Sequence, residues 1–128
     1  MKKILIIEDD EAIRSELQKL LTNSGYEAQI TDTFSNVKEQ IEKIKPDLIL
    51  LDINLPELNG EVILKEIRKE SDIPVVMVTS RTSEVDEVLS MSYGADDFIT
   101  KPYNPTVLLL RIQNIFKRMT RTGERQMY

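Results

Sequence analysis

The chain has 128 residues, the length of one ordinary domain, of which 41% are apolar and 30% charged, and its net charge is −5. It contains no cysteine, histidine or tryptophan, which excludes disulfides, thiolate nucleophiles, imidazole bases and metal sites built from Cys or His. The acidic balance argues against a domain that wraps nucleic acid by itself. The longest apolar runs have four residues and predict no transmembrane span, and the absence of cysteine fits a cytoplasmic protein.

Short apolar runs alternate along the chain with segments of helical period. The runs predict strands β1 (4–7), β2 (26–30), β3 (48–51), β4 (75–78) and a weaker β5 around Phe98 and Ile99. Between them, apolar residues recur at the period of an α-helix and predict five helices. The stripes are Ile13, Leu17, Leu20 and Leu21 for α1; Phe34, Val37, Ile41 and Ile44 for α2; Ile63, Leu64 and Ile67 for α3; Val85, Val88 and Leu89 for α4; and Leu108, Ile112, Ile115, Phe116 and Met119 for α5.

Five strands that alternate with five helices predict an α/β domain. The expected architecture is a flavodoxin-like doubly wound (βα)5 fold with a five-stranded parallel sheet of order 2-1-3-4-5. Helices cover both faces of such a sheet, which fits the continuous apolar runs of β1, β3 and β4. A ligand site is therefore expected at the carboxyl ends of the strands, beside β1 and β3.

Acidic, hydroxyl and basic side chains follow the predicted strands at that edge. Glu8 and Asp9 follow β1, Asp52 follows β3, Thr79 follows β4 and Lys101 follows β5. Three carboxylates in one pocket repel one another, so either one holds a proton or a cation lies among them, and oxygen ligands of this kind suit Mg²⁺. A carboxylate can also attack phosphorus, and the Lys101 ammonium and the Thr79 hydroxyl can then pair with phosphoryl oxygens.

These residues also have purely structural interpretations. Asp9, Asp10 and Glu11 suit the positive N-terminus of α1, and residues 31–33 suit a helix cap. Asp52 suits a turn, and Lys101 suits an ordinary surface position. The functional hypothesis depends on the conjunction of acid, hydroxyl and ammonium at four neighbouring strand ends.

Taken together, five segments resemble a two-component response-regulator receiver domain of the CheY-like type. They are residues 3–11, 46–52, 55–60, 75–80 and 94–102, and the resemblance covers residues 2–119. The segments are specific jointly, because their order and spacing all agree. An acidic pair or a Lys-Pro dipeptide alone would be a weak signal.

The resemblance implies a set of roles at the strand ends. Asp52 matches the phosphoacceptor, which takes a phosphoryl group from a sensor histidine kinase, and Lys101 matches the phosphate-binding lysine. Glu8 and Asp9, with Asp52 and the backbone carbonyl of Asn54, match the ligands of a Mg²⁺ ion that Mn²⁺ can replace. The domain would then be a phosphorylated signalling domain that takes part in phosphoryl transfer and autodephosphorylation, and not an enzyme.

The resemblance also implies a switch. Thr79 matches the switch hydroxyl and Phe98 the switch aromatic, and the Lys101–Pro102 peptide bond is cis in this family. The phosphoryl group draws Thr79 inward, Phe98 rotates into the vacated space, and the surface formed by α4, β5 and α5 is remodelled. We refer to this surface as the α4-β5-α5 face.

Residues 94–103 and 110–112 resemble the OmpR/PhoB subfamily of transcription factors more closely than the family at large. In that subfamily, activated receivers dimerise through the α4-β5-α5 face with cross-subunit ion pairs. Asp96, Asp97 and Arg111 match positions of such pairs. The resemblance therefore implies a homodimer on phosphorylation.

Two positions of the α4-β5-α5 face depart from the subfamily pattern. The subfamily usually has a basic residue at position 87 and Glu at position 107, where this chain has Glu87 and Val107. One ion pair is therefore lost. Val107 and Leu110 lie off the predicted core stripe of α5, which predicts a more apolar face.

We predict that residues 1–119 form the receiver domain and that residues 120–128 are the start of a linker or a disordered tail. OmpR/PhoB-type proteins carry a winged-helix DNA-binding domain after such a linker. We therefore interpret the chain as a fragment that reaches DNA only through a domain it lacks. A single-domain receiver that acts through protein–protein interaction is the alternative.

Three other classes of protein compete with this interpretation. A phosphatase of the haloacid-dehalogenase type also uses an Asp nucleophile and Mg²⁺, but it needs a second Asp where this chain has Asn54. A flavodoxin-like cofactor domain needs a phosphate loop rich in Ser, Thr and Gly after β1, and residues 8–11 are all acidic. A pseudo-receiver that takes no phosphate is disfavoured by the intact set of Asp52, Thr79 and Lys101.

Overall fold

The structure is a computed structural model, and it describes residues 1–31, 36–55, 58–80 and 84–126. Its central feature is one parallel sheet of order β2-β1-β3-β4-β5, as predicted. The strands are β1 (Lys3–Ile7), β2 (Glu27–Ile30), β3 (Leu48–Leu51), β4 (Val75–Thr79) and β5 (Asp97–Thr100). The predicted (βα)5 fold is therefore confirmed.

In the described part of the chain, five helices connect and cover the strands. They are α1 (Glu11–Asn23), α2 (Val37–Ile44), α3 (Gly60–Arg68), α4 (Glu84–Ser92) and α5 (Pro105–Gln126). A two-residue antiparallel ladder, in which Asn54–Leu55 pairs with Leu58–Asn59, precedes α3 and was not predicted. Asp10 caps α1, because its Oδ1 accepts a hydrogen bond from the Ile13 N–H at 3.1 Å, so the structural interpretation of this residue is confirmed.

The sheet separates two apolar layers. Alternate residues of the central strands point to opposite faces, so that Leu5 and Ile49 pack towards α2 and α3 whereas Ile6 and Leu50 pack towards α1 and α5. These side chains are buried, and complete burial of each stabilises the fold by about 1.5–3 kcal/mol. The central strands therefore hold their carboxyl ends in a rigid frame.

Two of the three residues in the predicted apolar stripe of α4 do not face the core, and the third, Leu89, is half-buried. Val85 and Val88 are 65% and 62% exposed, and the buried residue of this helix is Ser90. The expected inward stripe is wrong here because periodicity defines an apolar side of a helix but not what that side packs against. Met119, expected in the core stripe of α5, is also exposed, whereas Leu108, Ile112 and Ile115 are buried as predicted.

Two further sequence predictions concern the ends of elements. The backbone of α5 continues past Met119 as far as Gln126, so the segment expected to be a linker is helical to that residue. The domain boundary at residue 119 stays a prediction. Phe34, residues 32–33 of the expected cap and residues 127–128 of the expected tail lie outside the described residues. None of the helices in the described part of the chain is long and apolar enough to cross a membrane.

Candidate functional site

Strand register brings two acidic residues side by side at the carboxyl edge of the sheet. β1 pairs with β3 so that Ile7 lies beside Leu51, and the next residues along the two strands are Glu8 and Asp52. The Asp52 N–H donates to the Ile7 carbonyl at 3.1 Å, which extends the pairing by one step. Glu8 and Asp52 are only 3% and 5% exposed, so the sheet fixes two carboxylates in a buried position.

A third carboxylate completes a cluster. One oxygen from each of Glu8, Asp9 and Asp52 lies within 4.8 Å of the others. Two of the acids are oriented by backbone N–H groups, from Asp10 to Glu8 at 3.2 Å and from Asn54 to Asp52 at 3.1 Å. Three convergent carboxylates are a donor set that fits a small hard cation such as Mg²⁺.

Lys101 enters the same cluster from the end of β5. Its ammonium group donates to both Glu8 and Asp52, and the Asp52 contact measures 3.2 Å. Its own backbone N–H donates to the Thr79 carbonyl at 2.8 Å, and the Lys101–Pro102 bond is cis, as the resemblance implied. The structure therefore brings together the predicted residues Glu8, Asp9, Asp52 and Lys101.

Burial and charge set the protonation of the cluster. Burial raises the pKa of Glu8 to about 7, the hydrogen bond from Lys101 opposes the shift, and the negative charge of Asp52 reinforces it. Burial by itself lowers the pKa of Lys101, but its hydrogen bond to Glu8 and the charge of Asp52 outweigh burial and raise it. Lys101 therefore remains an ammonium ion that neutralises part of the cluster.

A cleft of about 600 Å³ opens above the cluster. We call it the acidic cleft. Its lining includes the predicted residues Glu8, Asp9, Asp52, Asn54 and Lys101, and also Asp10, Ile13, Glu16, Ser80, Pro102 and Tyr103. The role of the Asn54 carbonyl as a ligand stays a prediction.

Tyr103 is a residue of the acidic cleft for which the sequence predicted no role. Its ring packs against the apolar layer under α1 and α5, and its hydroxyl oxygen is buried with no hydrogen-bond partner among the described residues. Burial raises the pKa of Tyr103 to about 12, and the charges of Glu16 and Glu8 act in the same direction. A tyrosine that follows Lys-Pro carries no signal of its own in a single sequence, because an aromatic residue there is explained equally well by packing.

Gly60, the last residue of the matching segment 55–60, is a second residue for which the sequence predicted no role. A Cβ atom at this position would lie 2.0 Å from the Asp52 carbonyl oxygen. The Gly60 N–H donates to the Ile53 carbonyl at 2.8 Å, so the backbone of α3 begins directly against the segment that carries Asp52. No side chain fits there without moving this segment.

The two predicted switch residues do not line the acidic cleft. Thr79 is fully buried at the end of β4, and its neighbour Ser80 lines the cleft instead. Phe98 is buried in the apolar layer that faces α2 and α3. Their roles as switch hydroxyl and switch aromatic stay predictions.

The acids expected to form cross-subunit ion pairs have partners within the chain. Asp96 accepts from the Arg68 guanidinium at 3.0 Å and from the Val75 N–H at 2.8 Å. Asp97 pairs with Arg111 at 2.9 Å. In this structure, these ion pairs and hydrogen bonds therefore connect β5 and the residue before it to α3, β4 and α5 of the same chain.

Exposed apolar side chains lie on the same α4-β5-α5 face, beside the exposed acid Glu87. Val107 is 41% exposed and Leu110 is 52% exposed, on the outer side of α5. Val85 and Val88 of α4 add to them. The face thus combines exposed apolar side chains with ion pairs that are already formed.

Residues 4–113 match the family described as response regulator receiver domain. The chain belongs to this family. This membership confirms the predicted resemblance and favours a receiver over the dehalogenase-type phosphatase and the flavodoxin-like cofactor domain.

Individual relatives support the subfamily resemblance. The chain is 39% identical over 118 residues to the uncharacterized transcriptional regulatory protein YvcP of Bacillus subtilis. The aligned region covers 92% of this chain and 50% of YvcP. It is 40% identical over 119 residues to the sensory transduction protein BceR of Halalkalibacterium halodurans, and this aligned region covers 93% of this chain and 52% of BceR. The chain spans about half the length of the curated relatives it matches. The resemblance to receivers of OmpR/PhoB-type regulators is confirmed.

Solved structures agree with the fold. The crystal structure of a CheY-like response regulator receiver domain protein from Methanospirillum hungatei superposes with a TM-score of 0.89 at 34% identity. The match covers 96% of this chain and 99% of that one. The architecture is therefore that of a receiver domain along nearly its whole length.

Proposed function

We propose that this chain is the phosphoacceptor domain of a two-component system, in which Asp52 takes a phosphoryl group from the phosphohistidine of a sensor histidine kinase. One observation carries the proposal. Asp52 is a buried carboxylate at the end of the central strand, hydrogen-bonded to Lys101 and adjacent to Glu8 and Asp9. Family membership supports the same role.

The proposed reaction is an in-line displacement at phosphorus. An Asp52 carboxylate oxygen forms the new P–O bond while the P–N bond to the donor imidazole breaks, and the imidazole leaves with the bonding electron pair. Lys101 pairs with one phosphoryl oxygen and the Thr79 hydroxyl with another. In autodephosphorylation, water attacks the same phosphorus, the P–O bond to Asp52 breaks, and inorganic phosphate leaves.

Glu8, Asp9, Asp52 and the Asn54 carbonyl would hold the divalent cation, Mg²⁺ or Mn²⁺. Such a cation supplies positive charge against the phosphoryl oxygens. The three carboxylates converge closely enough to bind one such cation together.

Phosphorylation would act through a shift between two conformations. Thr79 moves towards the phosphoryl group, Phe98 follows, and the α4-β5-α5 face changes its preference for a second copy of the domain. The resulting homodimer would control transcription through a DNA-binding domain outside this chain, in the cytoplasm. The alternative is a single-domain receiver, which would undergo the same phosphorylation and act through protein–protein contacts.

Phosphorylation by acetyl phosphate tests the proposal. We expect intact-protein mass spectrometry to show one phosphoryl adduct in the presence of Mg²⁺ and none for Asp52→Asn. Asp72→Asn, at an exposed position on the far edge of the sheet, is the matched control and should be phosphorylated normally. An adduct that persists in Asp52→Asn would contradict the assignment.

A further inference from the structure

Three hydroxyl groups of the described residues are buried without a hydrogen-bond partner. They belong to Thr31, Ser90 and Tyr103. A buried hydroxyl without a partner lowers stability, so each one calls for an explanation. Of the three, only Tyr103 lines the acidic cleft.

The position of Tyr103 next to the carboxylate cluster is well defined. The residue follows the cis Lys101–Pro102 bond directly, and its ring is held by the apolar layer beneath α1 and α5. It shares the lining of the acidic cleft with Glu8, Asp9 and Glu16. The Tyr103 side chain therefore lies at the wall of the proposed cation site, with its hydroxyl oxygen buried and without a hydrogen-bond partner among the described residues.

The chemistry of a hydrated cation matches this hydroxyl. Mg²⁺ dehydrates reluctantly and usually keeps several waters when carboxylates bind it. Those waters need acceptors for their hydrogen atoms, and a tyrosine oxygen can accept one hydrogen bond while its proton is donated elsewhere. The acidic cleft, at about 600 Å³, has room for the cation with its waters.

We propose that the Tyr103 hydroxyl is a positioning group for the cation, which it reaches through water bound to the ion beside Glu8 and Asp9. The inference rests on the proposed function, because it concerns the same cation. It differs from that function in assigning a role to a residue outside the predicted ligand set. Without the cation, the unpartnered hydroxyl lowers the stability of the fold. When the hydrated cation is bound, the hydroxyl gains a hydrogen bond from a water on the ion.

Tyr103→Phe removes only the hydroxyl and keeps the ring in place, so it tests the proposal directly. We expect isothermal titration calorimetry with MgCl₂ to show an affinity about tenfold lower than that of the wild type, the lower end of the loss seen when an outer-shell partner is removed. Tyr26→Phe is the matched control. Tyr26 packs against the same apolar layer and against Phe116 but does not line the acidic cleft, so its substitution should leave Mg²⁺ affinity unchanged.

Two further readouts separate positioning from a structural role. Thermal unfolding without Mg²⁺ should show Tyr103→Phe to be at least as stable as the wild type, because an unsatisfied hydroxyl has been removed. The chain has no tryptophan, so its fluorescence comes from four tyrosines, and Tyr103 is the one among the described tyrosines that lines the cleft. Mg²⁺ should change this fluorescence in the wild type and in Tyr26→Phe, which keeps Tyr103.

The outcomes distinguish the inference from the proposed function. If the wild type and Tyr103→Phe bind Mg²⁺ equally well, the inference is wrong and the proposed function stands. If Tyr103→Phe is less stable than the wild type both with and without Mg²⁺, and binds Mg²⁺ normally, the hydroxyl is structural and the inference is wrong. If the wild type binds no Mg²⁺, both are overturned.

Discussion

The acidic cleft and the α4-β5-α5 face depart from the usual pattern of burial in opposite directions. In the cleft, the charged groups of Glu8 and Asp52 are buried, the side chain of Lys101 is 12% exposed, and each of the three has a partner. On the face, the apolar side chains of Val88 and Leu110 are exposed. Buried charge is costly unless it is paired, and exposed apolar surface marks interaction sites.

In the proposed function, the cleft holds the chemistry and the face makes the contact with a second copy of the domain. The cleft is built on the carboxyl ends of rigid central strands, so its geometry depends on the fold. The face is built on the outer sides of α4 and α5. The apolar residues that it exposes to solvent contribute little to the stability of the fold. Substitutions of the buried charged groups in the cleft should therefore alter folding and chemistry together, whereas substitutions of the exposed apolar residues on the face should alter assembly alone.

The largest expected effect comes from Lys101→Met. The variant leaves Glu8 and Asp52 buried without their ammonium partner, and loss of one member of a buried ion pair typically costs about 3–5 kcal/mol. We expect urea unfolding in Mg²⁺-free buffer to show a fall of about this size in the free energy of unfolding. Phosphorylation by acetyl phosphate should also slow, because one partner of the phosphoryl oxygens is gone.

Lys69→Met is the matched control for Lys101→Met. Lys69 pairs with Glu66 at 2.9 Å on the exposed side of α3, and solvent screens that pair, so the variant should unfold like the wild type. The loss in Lys101→Met should also be larger at pH 8 than at pH 5, because Glu8, with its pKa raised to about 7, carries its charge only at the higher pH. Equal stability of the two variants at pH 8 would contradict a buried counter-ion role.

Gly60→Ala should have the next largest effect. The added Cβ would lie 2.0 Å from the Asp52 carbonyl oxygen, so α3 or the Asp52 segment must shift, and forced shifts of this kind cost about 3 kcal/mol. We expect a fall of that size in the free energy of unfolding, together with weaker Mg²⁺ binding, because Asp52 moves with its backbone.

Gly25→Ala provides the comparison for Gly60→Ala. Gly25 has a φ of +92°, and a Cβ there meets nothing within 4 Å. Its substitution should cost about 1 kcal/mol of backbone strain and leave Mg²⁺ binding unchanged. If both variants lose the same stability and bind Mg²⁺ alike, close approach to Asp52 is not what requires glycine at position 60.

The fold and the centre of the cleft were predictable from the sequence for the same reason. The continuous apolar runs of β1 and β3 place both strands in the middle of a parallel sheet, and parallel strands end at one edge. Glu8 and Asp52 come directly after these runs. They therefore lie side by side regardless of the conformation of the loops that follow. The positions of Tyr103 and Gly60 were not predictable in this way, because Tyr103 reaches the cleft through the loop after β5 and Gly60 lies in close approach to the Asp52 backbone.

The orientation of α4 and the partners of Asp96 were not predictable for a related reason. Val85 and Val88 have the spacing of a helix face, but spacing does not state whether that face meets the sheet or solvent. Asp96 was assigned to the face by resemblance. Its partners Arg68 and Val75 are 28 and 21 residues away in sequence, and no local pattern indicates them.

Asp96→Ala tests whether Asp96 contributes more to the stability of the fold than to contacts made by the α4-β5-α5 face. The substitution removes the acceptor of the Arg68 guanidinium and leaves the Val75 N–H without its side-chain partner, which should lower the free energy of unfolding by about 2 kcal/mol. Arg111→Ala, which breaks the more exposed Asp97 pair, should cost less than about 1 kcal/mol. Urea unfolding of both variants gives the comparison, and the reverse order of losses would place Asp96 on the face alone.

The smallest effect on folding is expected for Val88→Asp. Val88 is 62% exposed on α4, so its replacement should change the free energy of unfolding by less than about 0.5 kcal/mol. Phosphorylation of Asp52 should be unaffected, because the residue does not line the acidic cleft. Dimerisation should be weakened at least tenfold, since a charge would have to be desolvated in an apolar contact.

Light scattering coupled to size exclusion measures this directly, with Mg²⁺ and beryllofluoride as a mimic of the phosphoryl group. Val62→Asp is the control, because Val62 is 53% exposed on α3 and lies outside the α4-β5-α5 face. We expect the wild type and Val62→Asp to double in mass on activation and Val88→Asp to remain monomeric. A Val88→Asp protein that doubles in mass would show that activated copies meet through another surface, and the exposed apolar residues of α4 would then need a different explanation.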